Sequence, residues 1–178
     1  MLMRHSNAIN KTLKNSNFSS HSGIQLATRD SRIIEIKVRE MIKEVDPKQA
    51  YDILENTENA VLIDVRSTME YQFVGHPLNS THIPLKEPPD WETKSGFVEN
   101  VEAALQQQFT EKQELSDLPL LMLCRSGARS EAAGDLLISA GYTNVYNVLE
   151  GFEGDKDENG HRNTISGWRF HNLPWEQS

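Results

Sequence analysis

The chain has 178 residues, enough for one domain with a real core and few for two. Its formal net charge is −8, and all 26 acidic residues lie beyond position 29, which argues against a nucleic-acid partner, whose phosphates call for Lys and Arg. A single cysteine excludes an internal disulfide and any CxxC metal or redox pair, and it fits a reducing compartment.

The first 29 residues are rich in Ser and Asn, carry Arg4, Lys11, Lys14 and Arg29, and hold no acid. Such a stretch buries too little to offset chain entropy and reads as a disordered tail. Its basic, hydroxyl-rich character also allows an organellar transit peptide, although no arginine-rich amphipathic helix is evident. No apolar run has the length of a membrane span. The expected division is a tail over 1–30 and one domain over 31–178, in the cytoplasm or, if the tail is a transit peptide, in mitochondria.

Residues 31–45 mix helical and strand spacing and read as a short helix leading into a brief strand at 42–45. Asp46-Pro47-Lys48-Gln49 follows as a helix start: Asp46 caps, Pro47 suits the first turn, and Gln49 occupies the reciprocal capping position. Ala60 to Val65 reads as a buried strand with Asp64 and Arg66 at its carboxyl end. Buried charges require partners, so these two read as an ion pair pinning loops together beside the site. Met69, Glu70, Tyr71 and Phe73 indicate a short helix, with Glu70 placed to pair with Arg66 one turn earlier. A short strand is expected at 81–83, and His76 and His82 read as hydrogen-bonded structural residues. Residues 86–97, KEPPDWETKSGF, form a long irregular connection of the kind that is often functional, from which Trp91 or Phe97 would cover a site. A helix is expected over 100–109, with Val101, Ala104 and Leu105 inward.

The most informative stretch is 118–142. A short apolar run, broken only by Pro119, suits a strand buried on both faces. Cys124 ends it, Arg125-Ser126-Gly127-Ala128-Arg129 follow, and helical spacing begins at Ser130 and ends at Gly141. The thiol therefore stands where a strand runs into a helix. There the unpaired first amides and the positive end of the helix dipole favour negative charge. Gly127 supplies the backbone freedom a tight curl needs, and two flanking arginines favour thiolate over thiol. A last strand is expected at 144–149. Asp155-Lys-Asp157-Glu-Asn159-Gly160 matches the first half of a calcium loop, but Ser166 stands where the bidentate glutamate belongs, so it reads as a hydrophilic turn. Trp168 and Trp175 should pack the C-terminus back onto the domain. Strands alternating with helices imply an α/β fold around a parallel sheet.

Cys124-Arg125-Ser126-Gly127-Ala128-Arg129-Ser130 resembles the active-site loop of the rhodanese family, the single-cysteine sulfurtransferases. The resemblance extends to Leu62-Ile-Asp-Val-Arg66, Glu70-Tyr71, Gly75-His76, His82-Ile83-Pro84, Gly141-Tyr142 and Asn147-Val-Leu-Glu-Gly-Phe152. It implies a three-layer rhodanese-like fold, a central parallel sheet flanked by helices. It also implies a thiosulfate-type sulfurtransferase with Cys124 as nucleophile and persulfide carrier, needing neither cofactor nor metal. The amides of residues 125–130 would hold the sulfur anion, and the arginines would attract the donor. The acceptor would be cyanide, a small thiol or a thioredoxin-like protein. Two other readings use the same loop: a cysteine-dependent phosphatase of the cell-cycle dual-specificity type, or a noncatalytic binding module. Four residues separate Cys124 from Arg129. The related phosphatases have one more, giving a wider cradle, and noncatalytic modules typically lack the cysteine, so sulfur transfer is the expected chemistry.

Overall fold

The computed structural model describes residues 42–109 and 114–177. The tail and the helix expected over 31–41 lie outside these residues. Five parallel strands form the central sheet: β1 (Lys43–Val45), β2 (Val61–Asp64), β4 (Thr81–His82), β5 (Leu120–Leu123) and β6 (Val145–Val148), in the order β1-β6-β5-β2-β4. A second, two-stranded antiparallel sheet joins β3 (His76–Pro77) to β7 (Trp175–Glu176). This pairing is how the C-terminus returns to the domain. Trp168 is buried behind it, whereas Trp175 keeps about a third of its surface exposed.

The middle strands are apolar without alternation because both faces are covered. Along β5, Leu120 and Met122 join the core beneath helices α2 (Phe97–Gln108) and α3 (Ala128–Ser139). Leu121 and Leu123 join a second core with Phe152, Trp168 and helix α1 (Pro47–Asn56). The result is the expected three-layer arrangement. At the start of α1 the Gln49 N–H donates to Asp46 Oδ1 at 2.9 Å, and the Gln49 side chain accepts from the Asp46 N–H at 3.0 Å. Helix α2 begins at Phe97, three residues before the expected start. Phe97 takes the same inward stripe as Val101 and Leu105 at four-residue spacing. At the end of α3, Gly141 has φ +102°, the left-handed stop its position implied.

Residues 155–166 form a hydrophilic turn. The Asp157 carboxylate accepts from the Asn159 and His161 amides and from the Thr164 hydroxyl, so it caps its own loop. Among the described residues no helix is long and apolar enough to cross a membrane.

Parallel register sets the site. Asp64 at the end of β2 stands beside Leu123 at the end of β5, and Cys124 is the next residue. In a parallel sheet all carboxyl ends face one rim, where open α/β folds form their crevices.

Candidate active site

Cys124 lies on the floor of a cleft, its residue surface 2% exposed. The chain turns sharply after it: Gly127 has φ +103°, which a residue with a side chain rarely adopts. That turn aims the Gly127 N–H at Cys124 Sγ, 3.1 Å away. Ser130 Oγ lies 3.3 Å from the same sulfur and 2.8 Å from the Gly127 carbonyl, so its one proton can serve either. Helix α3 starts at Ala128, and its first turn points toward the sulfur.

The loop is supported from behind. The Phe152 N–H donates to the Cys124 carbonyl at 2.8 Å and the Glu153 N–H to the Arg125 carbonyl at 3.0 Å. Gly151, at φ +61°, lies so close that a Cβ there would stand 2.4 Å from the Cys124 carbonyl oxygen. Asp64 and Arg66 form the buried pair expected of them, each with a fully buried side chain. Arg66 Nε and Nη2 bond the Asp64 carboxylate at 2.9 and 2.6 Å, and Nη2 also donates to the Gly75 carbonyl. The Arg66 guanidinium lies 4.1 Å from the centre of the Phe152 ring, linking this pair to the segment beneath the reactive loop. His82 donates from Nε2 to the Arg66 carbonyl, and His76 from Nδ1 to the Tyr71 carbonyl. Both imidazoles stack on Tyr71. They are bound into the wall of the fold.

Glu70 does not pair with Arg66. Asp64, two residues before Arg66, already holds that guanidinium, and Glu70, in a short π-helical turn (Glu70–Val74), reaches the reactive loop instead. Arg129 Nη1 and Nη2 donate to the two Glu70 carboxylate oxygens at 2.7 and 2.6 Å. The Ser67 amide and hydroxyl donate to the same carboxylate. Burial alone would push the Glu70 carboxyl up, but the bonds and charge of Arg129, with Ser67, bring it down from 4.5 to about 2. A carboxyl depressed in the folded state stabilises the protein above its unfolded value and loses that contribution as pH falls through the folded value. Wild-type protein should therefore lose thermal stability more steeply than Glu70→Gln between pH 4.5 and 2.5. Parallel melting curves would refute the pairing.

The structure thus brings together Cys124, Arg125, Ser126, Ala128 and Arg129 around one cleft, with Glu70 and Trp91 added. Gly127 and Ser130 contact the sulfur from within the loop. Asp64 and Arg66 stay beneath it. Of the two candidate covering residues, Trp91 lines the cleft and Phe97 is core. Sequence reasoning missed the role of Glu70. Its signals were a carboxylate shortly after a strand whose arginine was already taken, and its place in the Glu70-Tyr71 motif, neither of which names Arg129 as its partner.

The model of the rhodanese-like domain matches residues 46–158. The chain belongs to the rhodanese-like family. It is similar to an uncharacterized protein of Rickettsia rickettsii, 31% identical over 138 residues that cover 76% of this chain and 98% of the relative. It is also similar to the thiosulfate sulfurtransferase GlpE of Haemophilus influenzae, 26% identical over 114 residues that cover 63% of this chain and 86% of that one. Among solved structures, Rv0390 from M. tuberculosis superposes with a TM-score of 0.63 and 34% identity, covering 76% of this chain and 98% of its own. The rhodanese-like match takes in β2, β4, β5 and β6 of the central sheet, the Asp64–Arg66 pair and the reactive loop; it begins just after β1 and stops before Trp168 and β7.

Proposed function

We propose that this protein is a sulfurtransferase that moves sulfane sulfur from a thiosulfate-type donor to a thiophilic acceptor through a persulfide on Cys124. The observation that carries the reading is a sulfur on the floor of a cleft, 3.1 Å from an amide donor, at the foot of a helix. In the first half-reaction the Cys124 thiolate attacks the outer sulfur of thiosulfate. The S–S bond breaks, its electron pair leaves with sulfite, and the sulfane sulfur stays on Cys124 as a persulfide anion. The loop amides of 125–130 then face an anion one bond longer, which suits a curl of donors better than a single contact. In the second half-reaction cyanide, a small thiol or a thioredoxin-like protein takes the outer sulfur and frees the thiolate. No cofactor enters either step. A cytoplasmic setting goes with the reading, because a lone reactive thiol persists where the compartment is reducing.

The phosphatase reading fits less well. Phosphoryl transfer needs donors spread over the transferring oxygens, and both terminal nitrogens of Arg129 already donate to Glu70. Intact mass after treatment with thiosulfate should rise by one sulfur atom, and a reductant should remove it. The protein should leave aryl phosphates unhydrolysed. Hydrolysis at a rate comparable to its sulfur transfer, or an unchanged mass, would refute the assignment.

A further inference from the structure

The cleft above Cys124 has a volume of about 380 Å³, within the range of pockets that hold organic ligands. At ~30 Å³ for each water-sized group, the five atoms of thiosulfate would leave most of it empty. Its walls also differ from what a small dianion calls for. The charge of Arg129 is met by Glu70. Among the described residues the Arg125 guanidinium has no carboxylate partner, so it is the uncompensated cation at the rim. The Trp91 indole and the Ala128 methyl supply apolar surface. One positive charge beside an aromatic wall matches an organic monoanion.

Trp91 is held in place. Its N–H donates to the Glu87 carbonyl at 3.1 Å, and the Glu87 carboxylate accepts from the Thr68 amide at 2.9 Å and from the Thr68 hydroxyl. Lys86 bridges to Thr93, and the Lys94 N–H donates to the Leu85 carbonyl, so both ends of the turn are anchored. Trp91 itself has φ +55°, a conformation uncommon for a bulky residue and one that gathers at ligand clamps. It nevertheless leaves 47% of its surface exposed.

We infer that Trp91 is a specificity-determining residue that makes organic thiosulfonates, with an aryl or alkyl group on the sulfonyl, better donors than inorganic thiosulfate. The inference rests on the sulfurtransferase reading of Cys124. The thiolate attacks the terminal sulfur of the thiosulfonate, the bond from that sulfur to the sulfonyl breaks, and its electron pair departs with the sulfinate. The sulfane sulfur remains on Cys124 as the persulfide anion, and two negative charges enter the step and two leave it. The carbon group, which thiosulfate lacks, is what the indole contacts.

The test measures thiocyanate formed from thiosulfate, methanethiosulfonate and benzenethiosulfonate with cyanide, using the full chain as wild type, Trp91→Ala and Trp91→Phe. For wild type, kcat/KM should rise along that series, the aryl donor exceeding thiosulfate at least about tenfold after subtraction of the uncatalysed rates. Trp91→Ala should lower the aryl-to-thiosulfate ratio about tenfold, and Trp91→Phe should keep most of it, the size expected for one ring contact. Benzenesulfinate should inhibit wild type more strongly than methanesulfinate, a binding readout that does not depend on chemistry or on how the variants fold. Equal efficiencies across the wild-type series, or a ratio unchanged in folded Trp91→Ala, would overturn the inference and leave the sulfurtransferase reading standing. A persulfide formed from no donor would overturn both.

Discussion

Replacing Cys124 by serine is expected to lower thiosulfate:cyanide sulfur transfer to the uncatalysed rate and to abolish the gain of one sulfur in intact mass. The hydroxyl has the same two neighbours available, the Gly127 amide and Ser130 Oγ, so the loop keeps its local hydrogen bonds. What is lost is the atom that forms and releases an S–S bond, and no other cysteine exists in the chain to replace it. Exchanging one buried sulfur for an oxygen that keeps both hydrogen-bond neighbours should change stability by only about 1 kcal/mol. The decisive pair of measurements is therefore rate and melting temperature on the same preparation. Retained turnover in a folded serine variant would mean that the sulfur is carried elsewhere.

The largest stability effect is expected at Asp64. Asp64→Ala removes the carboxylate that holds a fully buried guanidinium and accepts the Arg66 amide as well. An ion left without its partner in the interior typically costs about 3–5 kcal/mol. For a domain of this size that corresponds to roughly 10 °C in melting temperature. Because the same guanidinium packs on Phe152, and Phe152 bonds the Cys124 carbonyl, turnover should fall along with stability. Asp64→Leu combined with Arg66→Met should be milder than Asp64→Ala alone, since no unpaired charge remains. A denaturant titration of all three proteins checks this, and a double variant as unstable as the single one would show that the charge is not the cause.

The Asp64–Arg66 pair was legible because the partners are two residues apart at a strand end, where buried charges have few alternatives. Cys124 and its loop were legible because the change from apolar strand to small and basic residues happens within one position. The capping box at Asp46 and the stop at Gly141 are local grammar, fixed by neighbours in sequence. Glu70 was not legible. Its partner lies 59 positions away, and the i to i+4 rule that pointed to Arg66 describes isolated helices and does not weigh a stronger competitor such as Asp64. Phe97 and Trp91 looked alike as exposed-loop aromatics. The four-residue spacing of Phe97, Val101 and Leu105 would have assigned the first to the core. Nothing local assigned the second to the cleft. The strand at Trp175–Glu176 escaped notice because two residues carry no periodicity, and its position depends on an edge that only the folded chain provides.

The segment that closes the reactive loop from behind has a kinetic meaning. Gly151 leaves no space beneath the Cys124 carbonyl, and residues 152 and 153 bond the loop to a layer that Trp168 in turn secures through the Gly151 carbonyl. The loop therefore has no room to retreat inward, and its cysteine lines the cleft. If the chain transfers sulfur as proposed, donor and acceptor would meet Cys124 in that cleft in turn, and the sulfite or sulfinate would have to clear the mouth before the next nucleophile reached the persulfide. In such a molecule the order of events is imposed by the architecture, and the loaded cysteine must outlast the interval between two visitors.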